Sequence, residues 1–398
     1  MSEQKTETWF SLLSKGQKTI FFLSSLIGLS IIIALTIPIK QKPEVNPDKK
    51  IDLSMSIKQI APKLGITGKS LARELKLPLD TPKEKPLSLL NITAEDLEHV
   101  VEHQLSHVDA TAKYPVFLIL VIWGIIYLSL LGRPKGADIK QRKGWFPRAP
   151  YIISLIISIA VCGFYFGKSP NPMEGIVKVF KSMVGLYPDP LVKVTALLFF
   201  LTLVILGNKL ICGWACPFGA LQELIYSLPI LKKLKNRKLP FLFTNTVRAT
   251  LFIIMLLLLF AIIGNQKGLV IYHSLNPFNL FNLDFEETSI LITVIASLIL
   301  AFWIYRPFCM LICPFGFVSW IFEQLSVTKV RINPEKCDQC NACIKACPTE
   351  STKALVYGKS LPADCFSCGR CLKVCPQDAI KYSLFCENEL KNEPTTKP

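Results

Sequence analysis

Six apolar segments dominate the chain and restrict what it can become. They run over residues 19–39, 114–132, 149–167, 191–208, 249–264 and 289–305. Each is long enough, or nearly so, to cross a hydrocarbon layer about 30 Å thick as a helix. Apolar residues make up 51% of the chain, and their blockwise arrangement predicts a membrane protein in contact with lipid. A net charge of +16 taken alone suggests nucleic acid. The basic residues, however, crowd the loops between apolar blocks, where orientation signals belong, so no nucleic acid partner is expected.

Those loops set a direction. Arg133, Lys135, Lys140, Arg142, Lys143 and Arg148 crowd one connection, and Lys232, Lys233, Lys235, Arg237, Lys238 and Arg248 crowd another. The intervening loops 168–190 and 265–288 carry three lysines and one. Placing the basic loops inside gives a multi-pass protein of the bacterial inner membrane with six spans and both termini cytoplasmic. The first segment follows Lys15 and Lys18. It is too long for a signal-peptide core, and no A-x-A-like site follows at 36–41, so it reads as an uncleaved anchor.

Eight of the fourteen cysteines fall into two copies of one run, CDQCNACIKACP at 337–348 and CFSCGRCLKVCP at 365–376. Both read C-x2-C-x2-C-x3-C-P, the spacing of bacterial two-cluster ferredoxins. Three thiolates within seven residues wrap a tight loop around one [4Fe–4S] cluster, and the proline ends the turn that carries the fourth Cys to the other cluster. The expected ligand sets are Cys337, Cys340, Cys343 and Cys375 for one cluster, and Cys365, Cys368, Cys371 and Cys347 for its neighbour. Zinc sites more often use two C-x2-C pairs separated by a longer loop. Cluster ligands are reduced thiolates, which places this segment in the reducing cytoplasm, in agreement with the basic loops.

The apolar part of the chain repeats itself. LICGWACPFG (210–219) and PFCMLICPFG (307–316) align at an offset of 97 residues, with Lys209 and Arg306 each three residues before the first Cys. The offset maps the third span onto the fifth and the fourth onto the sixth, a parallel repeat with its axis along the membrane normal. Cys212 and Cys216, like Cys309 and Cys313, are four apart. On a helix each pair shares a face, and the following Pro-Phe-Gly ends or bends that helix. The adjacent cations are expected to favour thiolates. Two readings stay open: a redox or metal-linked site, extending to a third metal centre, and small residues that let helices pack closely.

Between the first two spans, residues 40–113 form an outer-face segment with two similar helical pieces, 64–78 and 90–105. Thr93 followed by Asp96 is a variant capping box. Residues 60–77 resemble a helix-turn-helix, but the flanking spans place them outside, as a small helical cap. His99, His103 and His107, preceded by Glu95, recur at four-residue spacing. Adjacent pairs suit zinc, copper or nickel, although His99 and His107 lie about 12 Å apart, too far to share one ion. A solvated helix face is the other reading. No His falls within a span and no C-x-x-C-H occurs, so haem is not expected; Cys162 and Cys386 read as plain thiols.

The two C-x3-C-P motifs, the spans and the C-terminal run together resemble the membrane iron–sulfur family that includes NapH and NosR. The likeness covers 149–383 and rests on twelve cysteines in order. It implies electron transfer between the quinone pool and a redox partner protein, as a quinol dehydrogenase-type subunit. No individual quinone-binding or catalytic residue stands out. NosR-type proteins carry an outer flavin domain with a flavinylated Thr in an S/T-G-A-T-like motif; that motif is not found here, so no flavin is implied. The expected fold is an all-α polytopic membrane protein with a C-terminal α+β two-cluster ferredoxin domain. Its expected divisions are an anchor (1–39), an outer segment (40–113), a five-span core (114–325), the cluster domain (326–385) and a tail (386–398). A copper-reducing or maturation factor for a periplasmic metalloenzyme, working through the His-bearing segment, is the alternative. A thiol redox sensor is the third reading.

Overall fold

The computed structural model describes residues 54–63, part of 71–97, and 112–131, 149–185, 190–228, 238–262, 270–283, 285, 287–358 and 363–384. The first apolar segment, His99, His103, His107, Glu95, Cys386 and most of the basic-loop residues lie outside them. The described residues fall into two compact units, one within Ala34–Ala110 and one within Thr111–Pro398.

In the smaller unit, helix α1 (Ile57–Lys63) starts beside an isolated bridge between Ser56 and Pro86. Ile57, Ile60, Leu71, Ala72, Leu75, Leu87, Ile92 and Leu97 form its apolar core. The Thr93 capping box is formed: Thr93 N–H donates to Asp96 Oδ2 at 3.1 Å and Asp96 N–H donates to Thr93 Oγ1 at 3.2 Å.

In the larger unit, three described helices are long and apolar enough to cross a membrane: α2 (Lys113–Leu131), α5 (Pro190–Gly207) and α7 (Phe241–Leu259). Helix α2 is apolar all round, as a lipid-embedded helix is. Phe117, Leu120, Val121, Gly124, Leu128 and Leu131 form one buried stripe at helical spacing. Ile119, Ile122, Trp123, Ile126 and Leu130 are exposed on its remaining faces, an apolar surface that water would not tolerate. Gly124 is small for a reason: a Cβ there would lie 3.0 Å from Leu210 and 3.1 Å from Trp214.

Two expected spans come out shorter. Residues 149–167 form α3 (Ala149–Ile157) continued by a π-helix, Ser158–Tyr165. Residues 289–305 shorten to α8 (Thr288–Leu300). Hydropathy cannot separate lipid from protein as the apolar solvent: Ala301 and Tyr305 are buried inside the molecule, and the Tyr305 ring packs 5.6 Å from Phe366. Arg306 then turns the chain with φ 43°. The loop after α3 also holds more structure than the sequence reading gave it. Helix α4 (Pro172–Met183) has Pro at its first position, and Asn171 caps it by accepting the Glu174 N–H at 2.8 Å. It folds back onto α5, with Gly175 against Phe200.

After α5 come a π-turn (Ile211–Ala215) and α6 (Pro217–Ser227). After α8 come α9 (Pro307–Leu311) and α10 (Pro314–Glu323). The C-terminal segment contains short helices α11 (Ala342–Ala346), α12 (Ser351–Tyr357) and α13 (Arg370–Val374). Strands β1 (Thr328–Ile332) and β2 (Ile380–Leu384) pair antiparallel, Val330 opposite Tyr382, and close it at both ends. This segment is bonded to the end of α5, whose last carbonyls have no partner inside their own helix. Val327 N–H donates to Ile205 O at 2.7 Å, Tyr382 Oη to Gly207 O at 3.1 Å and Ser367 Oγ to Asn208 O at 2.8 Å.

Candidate metal centres

The two cysteine runs adopt one loop conformation. Gln339 and Asn341 in the first run, and Ser367 and Gly369 at the matching positions of the second, all have positive φ. These left-handed turns curl each run inward before a short helix, α11 or α13, begins. The fourth Cys of each run precedes a proline, which excludes it from the helix. Cys347 (ψ 125°) and Cys375 (ψ 115°) are extended and leave their own loops. Two cavities result. One is lined by Cys337, Cys340, Cys343 and Cys375, the other by Cys347, Cys365, Cys368 and Cys371. All eight are free thiols. Among the described residues no group of three or more His, Cys, Asp or Glu closes around one metal ion. Four thiols around one concave space are a donor set that fits a cubane.

The duplicated pairs connect to the second cavity through Gly213, the residue after Cys212, which meets the cavity-lining Phe366. Cys212, Cys216, Cys309 and Cys313 are close enough to act electrostatically on one another. They do not share helix faces as the spacing suggested, because the residue before a proline is pushed out of helical geometry. Cys212 sits in the π-turn, whereas Cys216 (ψ 116°) and Cys313 (ψ 118°) are extended caps in front of Pro217 and Pro314. The sulfur of Cys216 accepts backbone N–H groups of Phe218 and Gly219, and that of Cys313 accepts those of Phe315 and Gly316. Gln222 Nε2 reaches Cys309 Sγ at 3.6 Å.

The cations beside the pairs favour the thiolates as expected, Lys209 at Cys212 and Arg306 at Cys216 and Cys309, but burial outweighs them. Burial pushes Cys212 far up, Cys216 to about 11, and Cys309 and Cys313 to about 12. Lys209 is also ion-paired with Asp364 and lies 3.5 Å from Glu323. Arg306 Nε donates to Glu223 at 2.9 Å and its Nη2 to Gly213 O at 2.8 Å. Each cation crosses into the other copy of the motif: Arg306 reaches the Cys212 carbonyl and Lys209 the Gly316 carbonyl at 3.2 Å. Arg248 Nη2 meets Asp364 Oδ2 at 2.7 Å, and Arg370 Nη2 meets Glu223 Oε1 at 2.6 Å. Burial alone pushes both carboxyls up. Lys209 and Arg248 nevertheless hold Asp364 below its usual range, and Arg370 and Arg306 do the same for Glu223. Both are therefore anions between two cations, the condition under which buried charge is tolerated.

Phe366, between Cys365 and Cys368, is wedged at the centre. Lys209 Nζ lies 5.5 Å from its ring centroid and the Arg306 guanidinium 5.2 Å, both within cation–π range. Trp214 Nε1 donates to Ser367 O at 3.0 Å. Gly213 faces the Phe366 carbonyl so closely that a Cβ has no room.

Sequence reasoning singled out Lys209 and Arg306 but missed Glu223, Glu323, Asp364, Arg370 and the role of Arg248. A signal was available. Glu223 in GALQELIYS and Glu323 in WIFEQLS are acids in apolar surroundings, and such residues need a partner.

Comparison with known proteins agrees with this chemistry. A 4Fe-4S binding domain family matches residues 189–238 and again 287–333, and a 4Fe-4S dicluster domain family matches 329–376. The chain is 30% identical over 189 residues to the putative electron transport protein YccM of Escherichia coli, covering 45% of this chain and 52% of YccM. The ferredoxin-type protein NapH of Haemophilus influenzae is 28% identical over 181 residues, covering 43% of this chain and 59% of NapH. The regulatory protein NosR of Pseudomonas aeruginosa is 29% identical over 131 residues, 32% of this chain and 18% of NosR. The chain thus spans about half the length of YccM. No solved structure matches it.

Proposed function

The chain belongs to the NapH/NosR-like family of membrane 4Fe–4S ferredoxin-type proteins, and from that premise we propose that it carries electrons between the quinone pool and a redox partner protein through two [4Fe–4S] clusters. Cys337, Cys340, Cys343 and Cys375 hold one cluster in this reading, and Cys365, Cys368, Cys371 and Cys347 the other. Bound there, each cluster supplies one-electron transfer at a fixed position.

The observation that carries the reading is the unequal burial of the two thiol sets. Each set has two buried thiols, Cys343 and Cys375 in one and Cys347 and Cys371 in the other. The difference is that Cys340 is exposed, whereas Cys365 and Cys368 are half-buried. The set containing Cys365 abuts the core thiols through Phe366; the set containing Cys340 meets solvent, where a soluble partner docks. Trp214, Tyr305 and Phe366 keep water from the inner set. The Glu223 and Asp364 networks fix that set against the core.

The finer architecture proposed is six spans, with both termini and the cluster segment cytoplasmic and the core a parallel duplication. Two matches to one domain family support the duplication, as does the reciprocal reach of Lys209 and Arg306. Reporter fusions test the orientation. Fusions after Gly132 and Pro240 are expected to report cytoplasm, and fusions near Pro78 and Asn276 the outer face. An outer-face signal from the C-terminal tail would falsify the scheme.

Cys212, Cys216, Cys309 and Cys313 act as one redox or metal-linked unit in this proposal. Serine at either pair should cut quinol-dependent cluster reduction at least tenfold while both cubanes assemble. Serine at all four should be little worse, because residues acting as a unit are not additive. Iron and zinc analysis of the same samples reports any third centre. Normal turnover in the quadruple variant would return these residues to helix packing.

A further inference from the structure

A cavity between α4 and the one-turn helix Ile271–Ser274 has no part in the cluster segment. It encloses about 40 Å³, against about 20 and 10 Å³ for the two cysteine-lined cavities. Its polar lining includes Glu174, Lys178, Lys181, Tyr272 and His273. Tyr272 is 2% exposed and its hydroxyl has no hydrogen-bond partner, an arrangement native proteins rarely leave without a use. Lys181 Nζ and His273 Nε2 are 2.7 Å apart, and Glu174 is paired with Lys178 at 2.5 Å. A lysine ammonium only donates, so His273 Nε2 accepts and its Nδ1 carries the proton.

The apolar side of the cavity leads inward. Met173, Val177 and Tyr272 belong to the same packed group as Cys216 and Phe308, and Cys313 packs against it. The apolar wall of the cavity and the core thiols Cys216 and Cys313 thus share one packed group. A ligand here has a phenol and an imidazole for its oxygen atoms, a carboxylate that accepts protons, and an apolar path towards the thiol sets. Those are the requirements of a lipid-soluble carrier that releases protons and electrons together.

We infer that this cavity, with Tyr272 and His273 as its contact residues, is the headgroup site for the quinol; the inference rests on the quinone reading above. In the oxidising direction both O–H bonds of the quinol break and it becomes the quinone. Two electrons leave, one for each cluster. The two protons leave in turn by way of the Glu174 carboxylate to water at the mouth of the cavity, while the His273 Nδ1–H holds a quinol oxygen by donating to it.

The test uses the full-length, cluster-loaded protein in detergent, with decylubiquinol and a reduced naphthoquinone as probes. Cluster absorbance reports reduction, and dithionite reduction of the same samples reports cluster content. Tyr272→Phe and His273→Gln are each expected to raise the KM for quinol at least tenfold, with dithionite-reducible clusters at the wild-type level. Unchanged KM and kcat in the double variant, with wild-type protein still reduced by quinol, would overturn the site alone. Wild-type protein reduced by neither probe would remove the quinone reading and this site together.

Discussion

Cys347→Ser is expected to lower bound iron from about eight atoms to about four, and the loss should fall on the cluster of the other run. The reason is the crossing of the chain after each short helix. Cys347 is extended in front of Pro348 and lines the cavity of Cys365, Cys368 and Cys371, not that of its own run. Cys375→Ser is the mirror experiment and should spare the cluster at Cys365, Cys368 and Cys371. Iron analysis with electron paramagnetic resonance of the half-reduced protein separates the two, since the remaining signals should differ between variants. Loss of the same cluster in both would refute cross-ligation.

Glu223→Ala should be the most damaging substitution outside the cysteines. It removes the carboxylate that Arg306 and Arg370, both buried, share. Breaking a buried pair from one side costs about 3–5 kcal/mol, whereas replacing the whole group with apolar residues of similar volume is often neutral. Thermal loss of cluster absorbance should therefore shift down strongly for Glu223→Ala. Much of that shift should return when Glu223, Arg306 and Arg370 are all replaced by Met. A midpoint for Glu223→Ala equal to that of the exposed control Glu335→Ala would show that the network does not hold the segment in place.

The cluster segment was the most legible part of the sequence. Its cysteine spacing is set by a local loop, in which Gln339, Asn341, Ser367 and Gly369 all take positive φ. The long apolar helices were legible for a related reason: period and length are local properties. What stayed hidden depends on residues far apart in the chain. Asp364 next to Cys365 reads as an ordinary loop acid until the fold sets it between Lys209 and Arg248. Apolar residues 301–305 looked like the end of a span because hydropathy scores burial against protein and against lipid alike. The reading of Lys209 and Arg306 as thiolate-stabilising cations holds in direction, Lys209 acting on Cys212 and Arg306 on Cys216 and Cys309, but burial outweighs it. Carboxylates within hydrogen-bonding reach also compete for the same ammonium and guanidinium.

The bonding of the cluster segment to the end of α5 bears on how electrons travel. A ferredoxin that diffuses must find its partner twice per electron, once to load and once to unload. Here the loading half is fixed in place: the carbonyls of Ile205, Gly207 and Asn208 are bonded to the segment, and the ion pairs beside them are shielded from solvent. Nothing swings. On the proposed route, transfer from the core to the inner cluster is tunnelling across a constant gap, indifferent to ionic strength because buried charges are little screened. Salt then acts on only one event, the arrival of the soluble partner at the exposed Cys340 edge, and the protein behaves as a wire with a single loose contact.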